Sequence, residues 1–117
     1  MAFRFEDLKV WQNALTLFNK IDLLTKEFPK NELFSLCNQM KRAADSVVLN
    51  IAERSTGQTV PKFRRFLNMA LRSAIEVVAC LFIAKSRSYR NETDFQLLYS
   101  EYETLCKMIT KLRDSFV

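Results

Sequence analysis

The sequence predicts an all-α protein, a single up-down-up-down antiparallel four-helix bundle of left-handed twist. Three observations predict it. Its 117 residues contain one glycine, Gly57, against a usual share near ~7%, so there is little material for hairpins, bulges or glycine-rich loops. Hydrophobic residues make up 49% of the chain and recur at steps of three and four, the period of amphipathic helices. The breaks between periodic stretches are few and short, which obliges neighbouring helices to run antiparallel. The length suits one domain, residues 1–117, with a core of its own.

Helix one is expected over about residues 6–28. Leu8, Trp11, Leu15 and Phe18 lie on one side, and Val10, Ala14, Leu17, Ile21, Leu24 and Phe28 widen the stripe. Glu6 and Asp7 fall in the first turn, where the helix dipole favours acids, and Pro29 stops the helix. Helix two, about 31–55, opens with Asn31 as N-cap and Glu32 behind it. Leu33, Leu36, Met40, Ala43, Ala44, Val47 and Ile51 mark its buried face, which fades at Ser55-Thr56-Gly57. Helix three, about 60–88, starts after Thr59 as a cap, with Pro61 near the first helical position, where a missing N–H costs nothing. Its stripe is Phe63, Phe66, Leu67, Ala70, Ala74, Val77, Val78 and Leu81. Helix four, about 92–116, follows an Asn91 cap. Phe95, Leu98, Tyr102, Leu105, Ile109, Leu112 and Phe116 alternate steps of three and four, the 3.5-residue period of a left-handed seam. A helix of ~25 residues is ~37 Å long at 1.5 Å per residue.

Composition excludes much chemistry. There is no His, hence no Ser-His or Cys-His nucleophile and none of the commonest metal ligands. Cys37, Cys80 and Cys106 fall inside helical patterns, as buried reduced thiols do. Glu6/Asp7 and Glu101/Glu103 are near in sequence but do not face each other on a helix, and Trp11 sits on a core stripe. The expectation is a protein that is not an enzyme, with no catalytic residue, cofactor or metal. No run of ~18 uninterrupted apolar residues is present and the first residues lack the apolar core of a signal peptide, so a cytoplasmic protein without a membrane partner is expected.

Charge is the one hint of function. Residues 58–90 hold seven of the eighteen Lys and Arg residues and one acid, Glu76, for a net +6, whereas the whole chain is +5. Lys62, Arg65, Arg72 and Arg87 fall within about a third of a turn of one another at the helical repeat. Arg64 points to the flank and Arg90 lies just beyond the helix. These six residues are the candidate contacts to RNA or DNA phosphates, where each cation displaces condensed counterions. The alternative is a solvated face paired with Glu92, Glu101, Glu103 and Asp114, in a scaffold whose arginines serve subunits or an acidic partner. Two further patterns stand out. Gln39, Arg42, Ser46, Asn50 and Glu53 form a polar strip along helix two, read as a ladder of interhelical bonds. Ala79, Cys80 and Ile83 point away from the main stripe of helix three, which suggests a second buried surface and self-association.

Phe5-Glu6-Asp7-Leu8-Lys9-Val10-Trp11-Gln12, Phe28-Pro29 with Glu32-Leu33, Gln39-Met40-Lys41-Arg42-Ala43-Ala44-Asp45-Ser46 and Asn50-Ile51-Ala52-Glu53 resemble the four-helix bundle proteins of the 23S rRNA intervening-sequence family. Phe63, Phe66-Leu67, Ala70, Ser73 and Glu76 continue the match. The resemblance implies a homopentameric ring, and a likeness to the accessory protein of diversity-generating retroelements, a basic pentamer that binds nucleic acid and a reverse transcriptase. The chain departs from the pattern at Arg54, where the family usually has Gly.

Overall fold

The structure, a computed structural model, describes residues 3–53 and 59–115. Among them there are four α-helices and no strand: α1 Lys9–Thr25, α2 Asn38–Glu53, α3 Val60–Ser86 and α4 Glu92–Asp114. The molecule measures 43 × 23 × 22 Å, about the length of α3 at 1.5 Å per residue. Contacts close a circuit, α1 on α2, α2 on α3, α3 on α4 and α4 on α1.

α1 is shorter than expected at both ends. Glu6 and Asp7 belong to a separate 3₁₀ turn, Arg4–Asp7, in which a Glu6 carboxylate oxygen accepts the Phe3 N–H at 2.9 Å. The helix ends at Thr25, before Pro29 is reached. Its buried seam is Val10, Ala14, Leu17, Ile21 and Leu24, whereas Leu8, Trp11, Leu15 and Phe18 are the half-buried flank. The expected centre and margin of the stripe are thus exchanged. A sequence with apolar residues on both flanks leaves that choice to the neighbouring helices.

The entry to α2 differs most. Asn31 is no N-cap. It lies in a 3₁₀ turn, Lys30–Glu32, followed by one π-helical turn, Leu33–Cys37. Five residues in a wider turn shift the register, so Leu33 is turned out to solvent, 56% exposed, while Leu36 and Cys37 are buried. From Met40 onward the expected face holds. The expected end of helix two, Arg54 and the Ser55-Thr56-Gly57 break lie outside the described residues, as does Phe116.

α3 and α4 follow the sequence closely. Pro61 stands in the first turn of α3, though the Thr59 side chain makes no cap bond. The Asn91 side chain accepts the Asp94 N–H at 2.9 Å, a true N-cap. Phe95, Leu98, Tyr102, Leu105 and Ile109 are buried in one row. The buried side chains of all four helices form one core, centred on Ile21, Met40, Ile51, Leu67, Val77, Leu105 and Ile109. Truncating a side chain as fully enclosed as Leu67 costs about 2–5 kcal/mol.

α3 departs from one expectation. It is long and apolar enough to cross a membrane by length and composition, with mean hydropathy 1.8 over an 18-residue window. The count of uninterrupted apolar residues missed this because Arg72 and Glu76 interrupt the run. One side, Leu67, Ala70, Ala74, Val77 and Leu81, is enclosed by the bundle. Only 33% of the window is buried, so apolar side chains also stand on the outer side.

Candidate nucleic-acid interface

The start of α3 is electrostatically unusual. A helix N-terminus carries about +0.5 of an elementary charge, which favours acids there and cations at the far end. α4 obeys this, with Glu92 and Asp94 in its first turn and Lys111 and Arg113 in its last. α3 departs from it at its start. Its first turn has no acid, Lys62, Arg64 and Arg65 follow at once, and the first carboxylate is Glu76. Cations beside a positive helix end repel one another, and an anion placed there would relieve the repulsion.

These side chains border an open groove of about 770 Å³ lined by Arg64, Arg65, Asn68, Met69 and Arg72, with Val60 and Pro61 at its mouth. A recess of about 330 Å³ adjoins it, shaped by Lys62, Arg65, Phe66 and Met69. Lys62, Arg65 and Arg72 are exposed, and no carboxylate among the described residues pairs with them. Arg64 is half-buried and its Nη1 donates to the Arg113 carbonyl at 3.1 Å. The Arg113 Nη1 in turn donates to Asn68 Oδ1 at 3.0 Å, and its Nε to Asp114 at 2.9 Å. That arginine holds the Asp114 carboxyl below the usual carboxylate range.

The last turns of α4 therefore lie against the start of α3. They add Arg113, and the exposed Lys107 and Lys111, to the same end of the molecule. Sequence reasoning passed over these three because the net charge of residues 91–117 is −2. The acids that outnumber them are spread over the whole helix.

Arg87 and Arg90 do not join the groove. They lie about 22 Å and more along the helix from Arg72 at 1.5 Å per residue, and both are neutralised. Arg87 Nη1 donates to Glu32 Oε2. Arg90 pairs with Glu27 at 2.7 Å and with Asp94 at 3.7 Å. Lys85 likewise pairs with Glu92 at 2.7 Å and lies over the Phe95 ring. Of the expected carboxylate partners Glu92 is used here, while Glu101 pairs with Lys20 of α1.

Glu32, expected only to follow a cap, is the centre of this end. It is 7% exposed and accepts from Ser35 Oγ at 2.7 Å, Tyr89 Oη at 2.7 Å and Arg87. The Ser35 and Tyr89 hydrogen bonds, with Arg87, hold its carboxyl below the usual range against the opposing effect of burial. No local pattern marks Glu32 as a centre, since two of its three partners, Arg87 and Tyr89, come from fifty or more residues away.

The polar strip of α2 is half a ladder. Ser73 Oγ of α3 donates to Ser46 Oγ at 2.9 Å, and Asn50 Nδ2 donates to the Ser46 carbonyl and hydroxyl at 2.9 and 3.0 Å. Gln39 and Arg42 are exposed without such bonds and border a cleft of about 540 Å³, with Ser73 and Glu76 on the other wall. Glu53 lies exposed at the end of α2.

Of the three residues expected to face a second surface, Cys80 does not. It is 1% exposed within the chain itself. Cys80 lies two turns after Ser73 on the same flank, so α2 covers it. Ala79 and Ile83 do stand outside, joined by Ile75 and Phe82, which the sequence reading missed. Burial pushes the Cys80 thiol up to about 11 and raises Cys37 and Cys106 as well. All three are protonated, weak nucleophiles at neutral pH. Among the described residues no cluster of three or more His, Cys, Asp or Glu is placed to hold a metal.

The family model for 23S rRNA-intervening sequence proteins matches residues 6–111. The chain belongs to that family. The match runs from the 3₁₀ turn before α1 to the last turns of α4, so the family's pattern and the helices described here span the same residues. No curated protein shows significant similarity to the chain.

Proposed function

We propose that this family member is a non-enzymatic, cytoplasmic homo-oligomer that binds RNA or DNA through phosphate charge rather than base sequence. Lys62, Arg64, Arg65 and Arg72 carry the binding, with Arg113, Lys107 and Lys111 beside them. The supporting observation is that Lys62, Arg65 and Arg72 stand exposed along one side of α3 with no carboxylate among the described residues paired with them. Arg87 and Arg90 drop out of the contact set because Glu32 and Glu27 engage them. Among the described residues no aromatic ring lines the groove, and Phe66 in the adjoining recess is half-buried, so base stacking contributes little. The contact between the start of α3 and the end of α4 supports the antiparallel up-down-up-down arrangement, and the three-four spacing of α4 supports a left-handed twist. The resemblance supports five copies in a ring, which would multiply weak contacts through avidity.

If three of these cations per subunit contact phosphate, the log–log salt slope is ~2.7 per subunit engaged on duplex DNA, or ~2.1 on single strands. An Arg65→Glu/Arg72→Glu variant that assembles normally should lose most retention of a random-sequence RNA in a gel-shift assay. Full retention would refute the reading.

A second reading, a protein-interaction scaffold, draws on the exposed Ile75, Phe82 and Ile83 of α3. Under it the apolar outer side of α3, with Ala79, makes the working contact, and the same variant would leave partner binding intact.

A further inference from the structure

Two faces of the bundle play no part in the nucleic-acid reading, and they differ in character. On α3, Ile75, Ala79, Phe82 and Ile83 are exposed and fall within about 100° of one another at the helical repeat. Glu76, the one acid among them, turns to the cleft on the α2 flank. What remains is an apolar ridge. The second face is the side where α1 meets α4, the most sparsely packed of the circuit. A recess of about 290 Å³ lies there, bordered by Thr16, Leu97, Ser100 and Thr104. The exposed row of α1 beside it is Gln12, Thr16, Asn19 and Leu23, and that of α4 is Thr93, Leu97, Ser100 and Thr104. Neither row holds a charge, in a chain of which 26% is charged. Lys20 and Glu101, which meet across the seam, pair with each other at 2.7 Å. Depletion of charge marks the core of an interface rather than a solvated side. Leu23 and Leu97, 62% and 59% exposed, stand within one residue of the same level, by the register of the Asn13–Met108 and Lys20–Glu101 contacts.

We infer that the α3 ridge of one copy docks on the α1/α4 seam of the next, covering Leu97, Ser100 and Thr104. The inference rests on the self-association proposed above and names its two surfaces. A contact between unlike faces leaves each copy one face to give and one to receive, so it can build a ring. Such a ring closes only without net rise, and here the heights agree. Arg64–Arg113, Phe82–Phe95 and Lys85–Glu92 keep a single register along α3 and α4. In that register Ile75 stands level with Tyr102 and Ile83 with Asp94, inside the span from Thr93 to Thr104. Copies side by side with parallel axes therefore bring ridge to seam at equal height. Charge favours a copy as the occupant as well. A chain of net +5 repels its own kind wherever its cations stand free. Between Ser73 and Ala84 α3 has no cation, and the Lys20 of the seam is already paired. Rotation about one axis also turns the start of α3 the same way in every copy, so the basic grooves share one side of the ring.

The test is particle mass by light scattering at micromolar concentration, with helical content by circular dichroism as the folding control. Ile75→Glu/Ile83→Glu on the ridge and Leu97→Glu/Thr104→Glu on the seam should each reduce the particle to the single-chain mass of 13.7 kDa with helix retained. Mixed in equal amounts, the two should form pairs and nothing larger. The intact seam of one takes the intact ridge of the other, and the faces left over repel. Ala79→Arg and Ser100→Arg, single changes at exposed positions, should repeat this pattern and replace any double variant that loses helix. A seam variant that still pairs alone would show ridge meeting ridge and overturn the inference. Variants of wild-type mass, or a mixture that stays single-chain, would overturn it too, leaving self-association through another face intact. A wild-type monomer would remove both.

Discussion

The two ends of α3 carry similar complements of cations and opposite electrostatics. At the start, Arg65 and Arg72 line an open groove and Lys62 the recess beside it, and the turns of α4 packed nearby bring Lys107, Lys111 and Arg113 with them. Beyond the other end, Lys85, Arg87 and Arg90 meet Glu92, Glu32, Glu27 and Asp94. Charge counted along a helix is therefore not yet surface potential. The tertiary structure decides which cations keep their field, by choosing which carboxylates arrive beside them. Here the segment between α1 and α2 and the first turn of α4 deliver acids to one end, and the other end receives further cations.

The largest expected effect comes from moving the same charge at each end in turn. Arg65→Glu/Arg72→Glu and Arg87→Glu/Arg90→Glu alter net charge equally. The first should abolish most nucleic-acid retention and lower the salt slope by ~1.8 per subunit on duplex DNA, two contacts at ~0.9 each. The second should leave the slope unchanged and instead lower the urea midpoint, because Glu32 is left enclosed beside an anion. Equal losses of affinity in the two variants would mean that binding follows total charge, and the contrast between the ends would carry no function.

A smaller effect sharpens the paired end alone. The Glu32 carboxyl is held below its ordinary value by Ser35, Tyr89 and Arg87. A depressed acid contributes stability above its unfolded pKa, and that contribution is lost as pH falls through the lower folded value. The urea midpoint of the wild type should thus be flat near neutrality and decline once pH drops below about 4.5. Glu32→Gln should lie lower at pH 7 and fall less steeply in acid. Some slope will persist, because Lys85 and Arg113 depress Glu92 and Asp114 in the same direction. Parallel curves for the two proteins would show that Glu32 takes no part in the acid limb.

The bundle was legible because its signals are local. The unbroken three-four spacing of α4 and the Asn91 cap each act within a turn or two, and both hold. The start of α2 was only partly legible, since a π-helical turn keeps helix-like composition while rotating Leu33 outward, although Leu36 is buried as expected. Cys80 was misplaced for a related reason. An angle on a helical wheel says how far a residue lies from the main stripe, but α2 covers that flank of α3, as the Ser46–Ser73 contact shows. The basic site was half legible. The cations could be named from sequence, but the closest acid to each of Arg87 and Arg90, Glu32 and Glu27, comes from more than fifty residues away.

The smallest effect tests whether the paired end is silent towards nucleic acid. The Asn91 side chain caps the turn that presents Glu92 and Asp94 to Lys85 and Arg90. Asn91→Ala should cost about 1 kcal/mol, a fall in melting temperature of roughly 4 °C for a domain of this size. Fraying that turn loosens Lys85 and Arg90, yet affinity should not rise. The released cations are about 20 Å or more from Arg72 by the rise of the helix, and fields between exposed charges fade over ~8 Å at physiological ionic strength. A variant that melts slightly earlier and binds with unchanged salt slope fits two independent ends. Tighter binding, with a steeper slope, would mean that loosened cations beyond α3 reach phosphates after all, and that the pairing at this end restrains the very activity assigned to the other.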